Sequence, residues 1–129
     1  MATPREHREK ALHNERLLDV RELTAGEFVD WAVTVLFYSA LHWMRALAAQ
    51  EGYQLKAYKS YKKGVLGEEE VFRGTGIFTQ QAFDWYSHLK DDSRDARYEM
   101  KQFSLADLHD LQQNFFKPFK LFVTSRLRA

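Results

Sequence analysis

The most constraining feature of this 129-residue sequence is a long apolar run at a helical period. Apolar or weakly polar side chains recur every three or four positions between residues 28 and 47. The repeating residues are Phe28, Trp31, Ala32, Val35, Leu36, Ser39, His42, Trp43, Ala46 and Leu47. This pattern predicts one helix over residues 25 to 50, apolar on most faces and roughly 39 Å long. Such a helix belongs at the centre of a bundle.

The same run is not predicted to span a membrane. Its most apolar part is bracketed by Asp30 and Arg45, and it contains the polar residues Thr34, Ser39 and His42. The charged N-terminal stretch also lacks the apolar core of a secretory signal. Absence of cysteine excludes disulfides and cysteine-ligated zinc, and it is ordinary in a reducing compartment. We therefore expect a cytoplasmic protein with no membrane association.

Two capping boxes predict where the first two helices begin. Thr3 with Glu6 precedes a charged, partly exposed outer helix that we expect to reach about Leu23. Thr24 with Glu27 precedes the central helix. In each pair the two side chains satisfy free backbone amides of the first turn, so these positions favour helix starts.

Similar signals mark the second half of the chain. Thr79 is expected to cap a helix that ends near residues 91 to 93, where Ser93 caps a further turn through Tyr98. Ser104 with Asp107 begins the last helix, whose apolar residues continue at a helical period through Phe122. Because this period continues past Pro118, the proline predicts a kink rather than an end. Phe122 is expected to be buried.

Residues 53 to 77 follow neither a helical nor a strand period, apart from a short helix predicted near residues 68 to 72. Tyr53, Tyr58 and Tyr61 alternate there with lysines, among them Lys62. This composition suits stacking on unpaired bases while contacting phosphates. An ordinary surface loop has the same composition, so both interpretations stay open.

Together these segments predict a single all-α domain over residues 1 to 129, an up-and-down bundle of four to five helices. Three tryptophans, six tyrosines and ten phenylalanines supply enough aromatic material for one core. The net charge of +1 creates no global field that attracts nucleic acid, so any anion site must be local. The five histidines lack the spacing of zinc motifs, and no Glu-x-x-His occurs, so neither a metal nor a cofactor is predicted.

One polar and aromatic group has the residue types of a binding site: Tyr38 and His42 on the central helix, and Arg94, Arg97 and Tyr98 later in the chain. Arginines three positions apart on a helix face the same way, and guanidinium groups suit phosphate. We take these five residues as candidate ligand-binding residues and His42 as the candidate acid or base. In the alternative interpretation the arginines pair with neighbouring aspartates, and His42 is a buried neutral imidazole.

Three stretches carry a resemblance to a known family: HREKALHNERLL at residues 7 to 18, WAVTVLFYSALHWM at 31 to 44, and YSHLKDDSRDARYEM at 86 to 100. They resemble helices of bacterial HEPN-like bundles, a superfamily named for nucleotide binding in higher eukaryotes and prokaryotes. The resemblance implies an up-and-down bundle that is often homodimeric. It also implies kinship with metal-independent ribonucleases, many of them toxins or antiphage effectors paired with nucleotidyltransferase-type proteins, and with members that serve only as binding modules.

Active members of that superfamily carry an arginine followed, after four to six residues, by a histidine late in the bundle. Here the only such pair is Arg8 and His13 in the first helix, and no histidine follows Arg94 or Arg97 at that spacing. The resemblance therefore implies a nucleotide- or RNA-associated module, homodimeric and acting with a partner protein in a toxin–antitoxin or antiphage system. The alternatives are a ribonuclease that uses His42 with Arg94 or Arg97, and a purely protein-binding module. Whether the chain is an enzyme stays open.

Overall fold

The computed structural model describes residues 2–20, 27–55, 66–99 and 101–128. Its helices are α1 (Pro4–Leu17), α2 (Val29–Gln50), α3 (Glu68–Gly74), α4 (Gln80–Tyr98), α5 (Leu105–Leu111) and α6 (Lys117–Thr124). The π-helical turn Gln112–Phe116 joins α5 to α6 without interruption. These ranges contain no strand, only one isolated bridge between Leu55 and Leu66. The prediction of an all-α bundle is confirmed.

Helix α2 lies at the centre, with α1 and α4 packed along it. Leu36, Trp43 and Leu47 are buried to within 1% of their surface, as the helical period predicts. Trp31 departs from the prediction, since 56% of its surface is exposed although it belongs to the same repeat. The helix therefore buries most of its circumference and leaves one aromatic residue of its first turn accessible to solvent.

The start of α2 differs from the prediction. The helix begins at Val29 rather than residue 25, because Glu27 and Phe28 form a turn. Val29 is buried whereas Phe28 is exposed, so contact with the bundle begins only where the helix does. The predicted cap at Thr24 lies outside the described residues. The predicted end at Gln50 is confirmed.

By length and composition alone α2 is able to cross a membrane, a property that mostly buried core helices of soluble proteins share. Within its most apolar 18-residue window, however, 67% of the residues are buried inside the bundle. A helix that is apolar on all sides is expected at the core of a bundle as well as in a membrane. Packing in this chain accounts for the apolar character of α2 without a bilayer.

The capping box that begins α1 is confirmed: Glu6 N donates to Thr3 Oγ1 and Thr3 N donates to Glu6 Oε1, each at 3.1 Å. The helix ends at Leu17 and is followed by a turn, so it is shorter than predicted. The predicted end at Leu23 lies outside the described residues. Ala11 is the buried residue of α1, which agrees with the prediction of a partly exposed outer helix.

Glu15 of α1 connects three helices through hydrogen bonds. Its Oε2 accepts a hydrogen bond of 2.9 Å from Trp43 Nε1 on α2, and its Oε1 accepts one of 2.6 Å from Lys120 Nζ on α6. The ammonium of Lys120 also lies 5.5 Å from the centroid of the Trp43 ring. Because Trp43 is buried, its indole N–H depends on this single carboxylate.

Helix α4 is one continuous element, contrary to the prediction of an end near residues 91 to 93 and a new turn capped by Ser93. Ser93 lies in the middle of α4 and is fully buried, so its side chain packs against the bundle and does not cap a new turn. The charged residues near Ser93 pair with one another along α4: His88 contacts Asp92, and Arg94 contacts Asp91. The cap at Thr79 is confirmed by a hydrogen bond of 3.1 Å from the backbone N–H of Ala82 to its hydroxyl.

The predicted continuation of the last helix past Pro118 is confirmed, and the π-helical turn shows how the proline is accommodated. Proline has no N–H and crowds the carbonyl four residues earlier, so a regular helix is disfavoured there. The backbone N–H of Lys117 instead bonds to Gln112 O, five residues back. Phe119 is completely buried, whereas Phe122 is only partly buried, which corrects the prediction for Phe122.

Helix α3 confirms the short helix predicted near residues 68 to 72. Its Phe72 joins an aromatic cluster with Phe78, Tyr86 and Phe119, whose ring centroids are 4.5 to 6.3 Å from that of Phe72. Tyr86 Oη donates to Glu68 Oε1 at 3.0 Å, and burial is the main cause that raises the pKa of its hydroxyl well above the usual value. This cluster attaches α3 to the core beside α4 and α6.

Candidate functional site

The structure brings three of the five predicted site residues together and gives the other two different partners. Tyr38, Arg97 and Tyr98 lie together between α2 and α4. His42 forms its hydrogen bond with a residue of α1. Arg94 is exposed and forms an ion pair of 3.5 Å with Asp91, as the alternative interpretation of the arginines predicts.

Arg97 is held in a fixed position by its neighbours. Its Nη1 donates to Tyr38 Oη at 2.7 Å, and its Nε donates to the carbonyl of Ser93 at 3.3 Å. The guanidinium carbon lies 5.5 Å from the centroid of Tyr38 and 5.2 Å from that of Tyr98, within the range of a cation–π contact. No carboxylate among the described residues forms an ion pair with it.

An open cavity of about 280 Å³ adjoins this arginine. Its lining consists of Asp30, Trp31, Thr34, Ala96, Arg97 and Tyr98. Trp31 and Tyr98 are 56% and 69% exposed, so both rings offer surface to a ligand. We call Trp31, Tyr38, Arg97 and Tyr98 the Arg97 platform. It combines accessible aromatic rings with a cation that has no carboxylate partner in the described part of the chain.

A second polar group forms where the first turns of α1 meet the C-terminal half of α2. The Nδ1 atoms of His7 and His42 are 3.1 Å apart, and the two rings stack with centroids separated by 5.4 Å. One Nδ1 must donate and the other accept, so the two neutral rings have different tautomers. Arg45 lies close enough to influence both imidazoles electrostatically. We call His7, His42 and Arg45 the His7–His42 cluster.

Burial and neighbouring positive charges disfavour protonation in this cluster. Burial is the largest cause that lowers the pKa of His42 to about 4, followed by His7, Arg45 and Lys10. Burial also lowers the pKa of His7, and Arg45 adds to the effect. Both imidazoles are therefore neutral at pH 7. Neutral His42 agrees with the alternative interpretation of this residue as a neutral imidazole, although its burial is only partial.

A small cavity of about 170 Å³ lies against the cluster, lined by Ala2, His7, Arg45, Ala49, Tyr53, Gln54 and Leu55. The Nε of Arg45 is buried and has no hydrogen-bond partner among the residues that the structure describes. Sequence reasoning missed both His7 and Arg45 as site residues. His7 belonged to a stretch that resembled the family, but nothing in the spacing connected it with His42, 35 positions later.

Other candidates from the sequence are placed as follows. Arg8 and His13 are both exposed on α1, and His13 Nδ1 lies 3.5 Å from Arg16 Nη2. Arg8 lines a wide open groove between α1 and the C-terminal residues, whereas His13 does not. Tyr58, Tyr61 and Lys62 lie outside the described residues. Across the described ranges, no group of three or more histidine, cysteine or acidic side chains is placed to hold a metal ion.

Comparison with known proteins adds no assignment. No family model matches the chain, and no curated protein or solved structure matches it.

Proposed function

We propose that this chain is a nucleotide- or RNA-associated binding module and that the Arg97 platform holds an unpaired base with its phosphate. The observation that carries the proposal is Arg97 itself, a cation that lies against two tyrosine rings and forms no ion pair with a carboxylate of the described residues. Guanidinium groups bind phosphate through charge-assisted hydrogen bonds. Exposed aromatic rings stack on bases without depending strongly on sequence.

The geometry favours an unpaired base over a duplex. Trp31 and Tyr98 are exposed around an open cavity, where a single base can stack on a ring while its phosphate reaches Arg97. In a duplex both faces of each base are already stacked on neighbouring pairs. Asp30, also in the lining, adds a carboxylate beside the platform that is suited to accept hydrogen bonds from a base edge.

A HEPN-like origin belongs to the same proposal. Two of the stretches that resemble this family contain Tyr38 and Arg97, and these residues are joined by the hydrogen bond of 2.7 Å. From the resemblance we propose that the module acts as a homodimer with a nucleotidyltransferase-type protein in a toxin–antitoxin or antiphage system. Sedimentation at micromolar concentration tests the dimer, and a species of monomer mass only would refute that part of the proposal.

The ribonuclease alternative requires His42 to act with Arg94 or Arg97. His42 forms its hydrogen bond with His7 and Arg94 pairs with Asp91, whereas Arg97 is bonded to Tyr38, one helical turn from His42. A purely protein-binding module remains as the outcome in which the Arg97 platform binds no nucleic acid.

Fluorescence anisotropy with a labelled single-stranded RNA tests the proposal. Arg97→Gln should weaken binding about tenfold or more, because a charged hydrogen bond to phosphate is lost. It should also reduce the slope of log K against log salt by about 0.7, the value for one phosphate contact on a single strand. Arg73→Gln is the matched control, since Arg73 also lies over an aromatic ring, 4.7 Å from the centroid of Phe83.

Tyr98→Ala tests the stacking contribution separately. Tyr98 is largely exposed, so its removal should leave the thermal unfolding midpoint nearly unchanged while weakening RNA binding about tenfold. If the wild-type chain binds neither single-stranded RNA nor nucleotide at low salt, the proposal is wrong. Equal weakening by Arg97→Gln and Arg73→Gln would also refute it, because the effect would then reflect overall charge only.

A further inference from the structure

We infer that His7, His42 and Arg45 form a second binding site, which takes one phosphoryl-type oxyanion in the small cavity between α1 and α2. This inference goes beyond the proposed function and does not depend on the Arg97 platform. Different residues form the two sites, and the two cavities share no lining residue.

The size of the cavity suits a small anion. Its volume is about 170 Å³. Sites for drug-sized ligands usually occupy about 300 to 1,000 Å³, whereas one water takes roughly 30 Å³ of liquid volume. The space therefore fits one tetrahedral oxyanion better than a whole nucleotide. His7 and Arg45 line it directly, and His42, which is not in the lining, is hydrogen-bonded to His7.

Arg45 provides the strongest reason to expect an anion. Its Nε is buried without a hydrogen-bond partner, and it forms no ion pair with any described carboxylate. Buried arginine groups are nearly always paired, because an unpaired N–H loses its bonds to water without replacement. An oxyanion in the adjoining cavity supplies acceptors for this guanidinium.

The charges around the cluster are predominantly positive. Helix α1 contributes Lys10, which acts on His42, and α2 contributes Arg45, which acts on both imidazoles. The nearby carboxylate of Glu6 is engaged in the capping box with Thr3. From α4, Tyr86 is a titratable group that Arg45 influences, and its hydroxyl donates to Glu68 on α3. The excess of positive charge favours an anion over a metal cation.

Binding of the anion should be linked to proton uptake. At neutral pH the Nδ1 atoms of His7 and His42 share one hydrogen bond, so only one of the two carries a proton. Protonation of both rings would bring two N–H donors together with no acceptor between them. An oxyanion in the cavity lies beside His7 and balances the charge of Arg45, so it favours protonation of the histidine pair. Affinity should therefore increase as the pH falls.

Histidine ¹H–¹³C NMR with sulfate as the probe tests this inference, because sulfate keeps the same charge between about pH 5 and pH 8. Sulfate should saturably shift the His7 and His42 signals but not those of His13, with chloride at equal ionic strength as the reference. The dissociation constant should fall from pH 8 to pH 5, and the fall is about tenfold when the anion raises the pKa of His42 by about two units from its value of about 4.

His7→Gln and Arg45→Gln should each abolish the saturable shift. Their matched controls are His13→Gln and Arg5→Gln, exposed residues of α1 that should retain it. His7 is only partly buried, so His7→Gln keeps the inference testable if Arg45→Gln fails to fold. Circular dichroism establishes that each variant is folded.

Inorganic phosphate and adenosine monophosphate then distinguish the source of the anion. Equal affinity for the two identifies the free oxyanion as the ligand, whereas tighter binding of the nucleotide identifies its phosphate. The inference is overturned if none of the anions shifts the two histidines, or if Arg45→Gln binds sulfate as well as wild type does. Zn²⁺ that shifts both histidines while sulfate does not would also overturn it. Because the readout is histidine-specific, it can succeed even if RNA binding at Arg97 fails.

Discussion

Mild acid should destabilise this protein through His42. The folded-state pKa of His42 is lowered to about 4, while an imidazole in the unfolded chain titrates near 6.5. Between these values the unfolded state takes up a proton that the folded state does not, so stability falls as the pH falls from about 6.5 to about 4. The pKa of His7 is lowered in the same sense, so the coupled pair titrates with one combined effect.

The structure sets the size of this effect. Between pH 7 and pH 5, about 1.5 pH units lie below the unfolded-state pKa of His42 and above its folded-state pKa. Each unit corresponds to about 1.4 kcal/mol, so the loss of unfolding free energy is at most about 2 kcal/mol. His42 is only partly buried, so solvent screens part of the interaction. We therefore expect a loss of about 1 kcal/mol in unfolding free energy from this residue.

Urea unfolding at pH 7 and pH 5, in chloride buffers without phosphate or sulfate, measures the loss. His42→Gln should lose less stability between the two pH values than wild type, by about 1 kcal/mol, because glutamine does not titrate. Shifts of carboxylates such as Asp92 are present in both proteins and cancel in the comparison. His13→Gln, which changes an exposed histidine, should keep the wild-type dependence. An equal loss in wild type and His42→Gln would refute the reasoning.

Two further predictions concern the core. Leu36→Ala should lower the unfolding free energy by about 2 to 5 kcal/mol, because it leaves a cavity where α2 packs against the bundle. Leu121 is exposed, so Leu121→Ala should lower the unfolding free energy little, and equal losses in the two variants would show that α2 is peripheral. Glu15→Ala should cost about 1 to 3 kcal/mol by leaving the buried indole N–H of Trp43 and the ammonium of Lys120 without an acceptor. Glu15→Gln retains a carbonyl acceptor and should lose less; urea unfolding that ranks the two variants the other way would contradict this account.

Local signals predicted the starts of three helices, although not that of α2. Thr3, Thr79 and Ser104 form the expected caps because a capping bond joins residues two or three positions apart, a distance that the sequence contains directly. The continuous α4 was not predicted, since Ser93 resembles a cap in sequence and only its burial shows otherwise. Tertiary packing decided that position, and packing depends on partners elsewhere in the chain.

The candidate site shows the same division. Tyr38 and Arg97 were both predicted as site residues, and they meet because each lies on a long helix whose periodic pattern could be read. The contact between His7 and His42 depends instead on how α1 crosses α2, for which neither helix carries a periodic signal. Arg45 had no distinguishing feature in the sequence, since its importance comes from a missing partner.

The π-helical turn between α5 and α6 also sets the rotational phase of the last helix. Leu111 and Phe119 are eight positions apart, which in a regular α-helix places them about 80° out of alignment. Accommodating one additional residue in a π-helical turn removes about 100° of rotation, which brings the two side chains within about 20° of each other. Both are buried in the same core. A single-residue deletion within the turn would therefore restore regular α-helical hydrogen bonding and keep Phe119 within about 20° of Leu111. Regular α-helix without the deletion would instead rotate Phe119 and Val123 by about 100° relative to α5, so the π-helical turn acts on the core through angle rather than length.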